Sequence, residues 1–230
     1  GLLIHTVYNY HKDWAIDESY PCGDFYFTEV LKKYYTKKSA AQYLGKDKTR
    51  EDVLINDTWF YLEDNMEDPA KLHLSEASWE KIDLPHTWNK FDVVDSEPGY
   101  RRDGSWYQKT ISIASIDTDM QYKLYFEGTN ISSTIYVNGK KAGSHVGGYV
   151  GYVIDITDYV VTGENEILVR VDNSINKQII PSQLSDFFIY GGITRDVWLR
   201  MVPKTNITKL NISTSNVSSK IAETSIDVTI

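Results

Sequence analysis

Carboxylate and amide side chains are concentrated in two segments that have the composition of loops. Residues 89–102 contain Asn89, Asp92 and Asp95, and residues 185–192 contain Asp186. Ionised carboxylates accept short, charge-assisted hydrogen bonds, and loops commonly carry binding residues. Acidic loops are also commonly just solvated, and a loop aspartate often caps a turn. The residue types alone therefore leave both roles open for residues 89–102 and favour a turn cap for Asp186.

Other residue types that often carry chemistry occur without the partners that the chemistry needs. His86 and His145 have no third catalytic partner and no metal-ligand spacing, so we interpret both as structural. Cys22 is the only cysteine, which excludes an internal disulfide and a cysteine-based zinc site. Serine nucleophile motifs, phosphate-binding loops and dinucleotide fingerprints are absent from the sequence.

The composition is that of a globular protein. Of the 230 residues, 41% are hydrophobic and 24% are charged, which is enough apolar material for a sizeable core. The net charge of -8 would repel phosphate backbones, so we expect no nucleic-acid partner. No apolar run approaches the ~18 residues that span a bilayer, so we expect no membrane partner. Residues 1–5 are too short for a signal-peptide core, so any export signal was removed or never existed.

The first fifty residues differ in pattern from the rest of the chain. Between Asp24 and Leu44, apolar residues recur near helical spacing beside a Lys-rich face, which predicts a short helix. Lys46–Asp52 is charged and without periodicity, which is typical of a linker. We therefore predict an N-terminal extension over residues 1–52, a main domain over residues 53–202 and a further segment over residues 203–230.

The main domain has the pattern of short antiparallel strands. Apolar and polar residues alternate over residues 107–113 and 121–126, which predicts two strands. The pair Asn138-Gly139 follows the apolar run 134–137 and predicts the type I′ turn of a hairpin. Because such strands recur at regular spacing without a convincing helix, we predict an all-β fold, an antiparallel β-sandwich of the jelly-roll type.

The segment after Pro203 also has a strand pattern. Ile226, Val228 and Ile230 alternate with polar residues up to the last residue. We therefore expect this segment to be the beginning of a second β domain.

A series of short motifs between about Ile55 and Val202 resembles the first, sugar-binding domain of glycoside hydrolase family two. Each motif is weak alone, but their order along the chain matches the order in the family. The motifs include Trp79–Asn89, Gly104–Lys109, Phe126–Gly128, Tyr136–Lys140, Gly147–Tyr149, Asp155–Asp158 and Gly191–Leu199. The resemblance implies a galactose-binding-domain-like jelly roll.

The resemblance also implies an activity for the parent protein. Family members hydrolyse β-linked glycosides with retention, using two glutamates on a barrel that follows the sandwich and an immunoglobulin-like domain. The chain alone is therefore expected to be inactive and to have the immunoglobulin-like and barrel domains of the same chain as partners. Asn165-Glu166 resembles the family's acid/base pair but lies in a turn, so we interpret it as structural. We expect a β-galactosidase, with a β-glucuronidase or β-mannosidase as alternatives.

Four residues match positions that bind the sugar in the family. Asp186 precedes the Gly191-Gly192 motif, where β-galactosidases of the family place an aspartate that binds the galactose hydroxyls, sometimes beside an alkali cation. Asn89, Asp92 and Asp95 lie in a loop that also lines the site in the family. The resemblance therefore predicts these four as substrate-binding residues, with a β-galactoside or another β-linked glycan as ligand. It leaves open an alkali or magnesium ion in the full enzyme and a homo-oligomeric parent.

Two other classes of protein share some of these features. A free-standing carbohydrate-binding module would share the sandwich and the aromatic residues but would bind glycan unaided. An adhesive domain of the immunoglobulin type is disfavoured because the sequence lacks the Cys-Trp-Cys core. For the parent, we expect a periplasmic or secreted bacterial protein, with a cytoplasmic location as the alternative.

Overall fold

The computed structural model describes residues 50–92, 94–96, 99–180 and 187–230. The predicted helix between Asp24 and Leu44 lies outside the described residues, as does most of the predicted linker. The last linker residues, Glu51 and Asp52, instead begin the first described strand. The Asp52 carboxylate lies 3.2 Å from the Arg50 guanidinium and 3.7 Å from that of Arg200. These ion pairs explain why a charged stretch can form an edge strand.

Nearly all of the regular secondary structure in the described residues is β-strand, which confirms the predicted all-β class. One 3₁₀ helix, Pro69–Leu74, interrupts them. The strands are β1 (Glu51–Leu54), β2 (Trp59–Leu62), β3 (Glu80–Ile82), β4 (Gly104–Ile113), β5 (Met120–Phe126), β6 (Thr129–Asn130), β7 (Ser132–Val137), β8 (Lys140–Val146), β9 (Tyr152–Asp155), β10 (Gly163–Asp172), β11 (Gly192–Ile193), β12 (Val197–Pro203), β13 (Lys209–Ser215) and β14 (Glu223–Thr229).

Two antiparallel sheets enclose the main core. One sheet has the order β1-β12-β5-β9 and the other β3-β2-β4-β10-β7-β8. The side chains between them include Trp59, Phe126, Ile135 and Ile167, none of which is accessible to solvent. Burial of apolar surface of this extent is the main force that holds two such sheets together.

The strands predicted over residues 107–113 and 121–126 form, but in opposite sheets. β4 pairs with β2 and β10, whereas β5 pairs with β9 and β12. Both strands show the predicted alternation, because each presents one face to the core. Local periodicity therefore identified the strands, while their partners come from distant parts of the chain.

The hairpin predicted at Asn138-Gly139 is confirmed. It joins β7 to β8, and both turn residues have positive φ, 50° at Asn138 and 74° at Gly139. The Asn138 side chain also donates to the carbonyl of Tyr159 and to Oδ1 of Asn165, each over 2.9 Å. Asn165 is fully buried and exchanges hydrogen bonds with the backbone of Val161. The turn is thus fixed both by its backbone conformation and by buried amides.

The predicted strand near the end of the chain is present as β14. It pairs in register with β13, so that Leu210 lies opposite Val228 and Ile212 opposite Ile226. These four apolar residues lie on one face of the hairpin and are exposed. In the part of the chain that the structure describes, no helix is long and apolar enough to cross a membrane.

Candidate functional site

Two long connections, one before β4 and one after β10, meet at one end of the sandwich, which we call the loop end. Gly104 at the start of β4 lies opposite Asp172 at the end of β10. Asp172 also lies opposite Ser132, the first residue of β7. Because paired strand ends share one end of a sheet, these pairings place together the connections before β4, after β10 and before β7. The described residues of the two segments predicted to bind substrate, 89–92, 94–96 and 99–102 in the first and 187–192 in the second, belong to this end.

Asn89 lies in the interior of the loop end, with no solvent-accessible surface. Its amide nitrogen donates to the Asp92 carboxylate and to the carbonyl of Arg101, both over 2.8 Å. Its amide oxygen accepts from the backbone N–H of Gly191 over 2.7 Å. Asp92 in turn accepts from the backbone N–H of Arg101 over 2.7 Å. Asn89 and Asp92 therefore hold the loop 89–102 against the segment before β11.

Asn173 is a second fully buried asparagine at the loop end, and it is not among the residues predicted from the sequence to bind substrate. Its amide nitrogen lies within hydrogen-bond distance of Asn89 Oδ1 at 3.3 Å, the Arg101 carbonyl at 3.2 Å and the Ile189 carbonyl at 2.9 Å. Its amide oxygen accepts from the backbone N–H of Asp103 over 2.8 Å. The only sequence signal was a polar residue directly after a long strand, which is too common to identify such a role.

Ile189–Gly191, which we call the anchored segment, belongs to no strand and is held by side chains. The Ile189 N–H donates to the Tyr100 hydroxyl over 3.1 Å, and its carbonyl accepts from Asn173. The Tyr190 carbonyl accepts from the Asn130 amide over 2.7 Å, and the Gly191 N–H donates to Asn89. Side chains from loop 89–102, from strand β6 and from the connection after β10 therefore fix the chain path here, in place of a β-ladder.

The structure describes three of the four predicted sugar-binding residues, and these three differ in their exposure to solvent. Asp186 lies outside the described residues, immediately before Phe187, which is half exposed. Asp95 is exposed, Asp92 is half-buried and Asn89 is buried in the amide contacts described above. The structure thus places three of the four in one loop at the loop end. Direct contact of any of them with a sugar stays a prediction.

Aromatic side chains pack beneath the loop end. The ring centroid of Tyr61 lies 5.3 Å from that of Tyr107 and 4.8 Å from that of His86. Trp88 stacks over Tyr61 at 6.3 Å, and the Arg101 guanidinium lies 5.2 Å from the Trp88 ring. Trp88 is therefore part of the packing under the loops.

Tyr100 packs between loop 89–102 and the residues beside the anchored segment. Its ring stacks on Phe188, with the centroids 4.4 Å apart. Its hydroxyl accepts from the Arg102 guanidinium over 2.8 Å as well as from the Ile189 N–H. These contacts give Tyr100 a structural role between loop 89–102 and the residues that precede β11.

The two histidines have packing partners of the kind expected for structural residues. The His86 Nδ1 lies 2.9 Å from the Tyr107 hydroxyl, and His145 stacks on Tyr152 with centroids 4.0 Å apart. Burial lowers the pKa of His86 below 6.5; the negative charge of Glu80 opposes this shift and the positive charge of Lys90 adds to it. Burial also raises the pKa of Tyr61 to about 12. Near neutral pH, both His86 and Tyr61 are therefore predominantly uncharged.

Asp172, which precedes Asn173, is held in its charged form. Burial alone would raise the pKa of its carboxyl, but hydrogen bonds from Ser174 and the charge of Arg170 outweigh burial and lower it. The Arg170 guanidinium lies 2.9 Å from the carboxylate. The end of β10 thus carries a fixed ion pair beside the buried amides.

Two further expectations concern catalysis and metal binding. Asn165 lies in the buried amide network of the β7–β8 hairpin, and the Glu166 carboxylate accepts from Gln108 over 2.6 Å. Both residues therefore have structural partners, in line with the interpretation from the sequence. Among the described residues, no group of three or more His, Cys, Asp or Glu side chains could hold a metal ion. A cation in the full enzyme stays a prediction.

Comparison with known proteins gives one family model and a consistent set of relatives. Residues 50–203 match the model described as "Glycosyl hydrolases family 2, sugar binding domain". A "Putative beta-glucuronidase" of Formosa agariphila is 48% identical over 226 residues, which are 97% of this chain and 27% of that protein. A β-galactosidase of Thermoanaerobacter pseudethanolicus is 34% identical over 78% of this chain and 25% of its own length.

A solved structure shows the same likeness. The β-glucuronidase of Bacteroides uniformis superposes with a TM-score of 0.67 at 36% identity, covering 77% of this chain and 22% of that one. The chain therefore spans about a quarter of the length of these relatives.

Proposed function

Because the chain belongs to glycoside hydrolase family 2 as a sugar-binding domain, we propose that its loop end supplies substrate contacts to the active site of a retaining β-glycosidase. The observation that carries the proposal is the convergence of loop 89–102 and the anchored segment at one end of the sandwich. Both loops contain or adjoin residues predicted to bind sugar, and buried amides join them. A site shared with another domain needs such preformed loops.

The bond-breaking chemistry belongs to the rest of the parent protein in this proposal. Retaining hydrolysis needs two carboxyl groups roughly 5–5.5 Å apart, one to protonate the leaving oxygen and one to attack the anomeric carbon. A barrel that could carry them takes about 250 residues, more than this chain has beside its sandwich. The role of Asp186 would be recognition, because a carboxylate accepts charge-assisted hydrogen bonds from neighbouring sugar hydroxyls.

We propose a β-glucuronoside as the first candidate substrate and a β-galactoside as the second. The relative named as a glucuronidase is 48% identical over 97% of the chain, whereas the galactosidase is 34% identical over 78%. The identity and coverage favour glucuronidase activity over the galactosidase activity expected from the motifs. A β-galactoside remains the second candidate because the β-galactosidase relative also shares the main domain.

The test is the activity of the full-length protein on nitrophenyl β-glycosides. We expect hydrolysis of the β-glucuronide, with kcat/KM at least about tenfold above that of the β-galactoside and the β-mannoside. Asp186→Ala should lower kcat/KM at least about tenfold, since charge-assisted hydrogen bonds contribute about 1.5–3 kcal/mol each. Asp119→Ala is the matched control, because Asp119 is an exposed loop aspartate at the opposite end of the sandwich. A parent inactive on every β-glycoside would contradict the proposal.

The isolated chain distinguishes the proposal from a free-standing carbohydrate-binding module. We expect the 230-residue chain to hydrolyse none of these substrates and to show no millimolar binding of glucuronides or galactosides by titration calorimetry. Millimolar or tighter binding by the chain alone would favour the module instead.

A further inference from the structure

We infer that Asn173 is a positioning residue for the proposed sugar site, because its buried amide ties loop 89–102 to the anchored segment. The inference rests on the proposed function and deepens it. Asn173 has no accessible surface, so it acts on any bound sugar through the loops that it holds.

The contacts of Asn173 join backbone groups that no β-ladder brings together. Its amide nitrogen faces the carbonyl of Arg101 in one loop, the carbonyl of Ile189 in the anchored segment and Oδ1 of Asn89. The Asn89 oxygen in turn accepts from Gly191 over 2.7 Å. The two asparagines therefore bind both ends of the anchored segment, at Ile189 and at Gly191, and hold them to the same loop.

The position of the anchored segment depends on these side chains. Regular pairing with the rest of the protein resumes only at Gly192–Ile193, where β11 meets β6. Before that point, the backbone of the anchored segment is bonded to four side chains. Its carbonyls accept from Asn130 and Asn173, and its N–H groups donate to Tyr100 and Asn89. Removing the Asn173 amide would leave the Ile189 carbonyl and the Asp103 N–H without these partners, and the loops would shift relative to each other.

A shift of this kind should act on substrate binding more than on bond cleavage. Supporting residues around a site typically change affinity or activity 10–100-fold when they are removed, because misplaced groups no longer meet the ligand. The contacts proposed here are to the ground-state sugar, so their loss should raise KM. The catalytic carboxyls of the parent are elsewhere, so kcat should change less.

The experiment measures kcat and KM of the full-length protein on its nitrophenyl β-glucuronide or β-galactoside, with melting temperatures beside them. Asn173→Ala should raise KM about tenfold or more with a smaller change in kcat. Tyr100→Phe removes only the hydroxyl, which accepts from Ile189 and Arg102, and keeps the ring stacked on Phe188. It should therefore raise KM less, in the same direction.

Asn165→Ala is the matched control. Asn165 is as fully buried as Asn173 and also binds backbone groups, but at the opposite end of the sandwich. It should lower the melting temperature to a similar extent and leave KM unchanged.

The outcomes separate a positioning role from a merely structural one. A folded Asn173→Ala enzyme with the wild-type KM would overturn the inference while leaving the proposed function intact. If Asn173→Ala fails to fold, an unchanged KM in Tyr100→Phe would overturn it in the same way. A wild-type parent inactive on every β-glycoside would instead remove the proposed function, and the inference with it.

Discussion

Gly191→Ala tests whether the packing under the loop end requires a residue without a side chain at position 191. An ideal Cβ at Gly191 would lie 2.0 Å from Cζ2 of Trp88 and 2.4 Å from its Cε2. Carbon atoms pack best at about 3.5–4.0 Å, so the ring or the backbone would have to move by about 1.5 Å. The ring is enclosed by Tyr61 and Arg101, and the backbone N–H of Gly191 is bound to Asn89. Neither can move without losing these contacts.

The expected cost follows from that geometry. Overpacking of a well-filled site costs about 1–3 kcal/mol, and a clash with a rigid ring should lie at the upper limit, about 3 kcal/mol. For a domain of 150–250 residues, each kcal/mol shifts the melting temperature by about 2–4 °C. Gly191→Ala should therefore lower the melting temperature of the 230-residue chain by about 6–12 °C, as measured by calorimetry.

Two variants identify the cause. Gly128→Ala is the matched control, because a Cβ at this buried glycine would meet the flexible Arg195 side chain at 3.2 Å and should cost under about 1 kcal/mol. In a Trp88→Leu background, Gly191→Ala should lose most of its effect, which a double-mutant cycle would show. An unchanged melting temperature in Gly191→Ala, or an equal loss in Gly128→Ala, would refute the reasoning.

Three further predictions concern the stability of the same chain. Burial lowers the pKa of His86 below 6.5, so protonating this ring is harder in the folded protein than in the unfolded chain. The free energy of unfolding therefore falls as the pH drops below about 6.5. The melting temperature should therefore decrease between pH 7.5 and 5.0, and by less in His86→Gln. Ile135→Ala, at a fully buried site, should cost about 2–5 kcal/mol by urea denaturation. Gly139→Ala should cost about 1–2 kcal/mol from its φ of 74° alone, since nothing lies within 4 Å of the added methyl; a neutral result would contradict this.

The features that the sequence predicts best are those whose causes are local. The turn at Asn138-Gly139 depends on the φ preferences of two adjacent residues, so the dipeptide was sufficient to predict it. The strands β4 and β5 were found in the same way, because alternation is a property of one segment. The all-β class follows from the sum of such segments.

The features that the sequence did not predict depend on distant parts of the chain. Nothing in residues 107–126 shows that β4 and β5 join different sheets, since their partners lie as far away as β10 and β12. The burial of Asn89 is also non-local, because it needs Gly191 and Asn173 around it. An asparagine has the same composition signal in a solvated loop as in a buried amide pair.

The anchored segment is bound through its peptide groups, and this determines which of its side chains are free to change. The contacts at Ile189, Tyr190 and Gly191 reach backbone N–H and C=O atoms, which nearly every amino acid supplies. The anchors therefore fix the course of the chain at Tyr190 without using the side chain of that residue. A substitution at Tyr190 would therefore alter the side chain that this end of the sandwich presents while the hydrogen bond from Asn130 to the residue 190 carbonyl is kept.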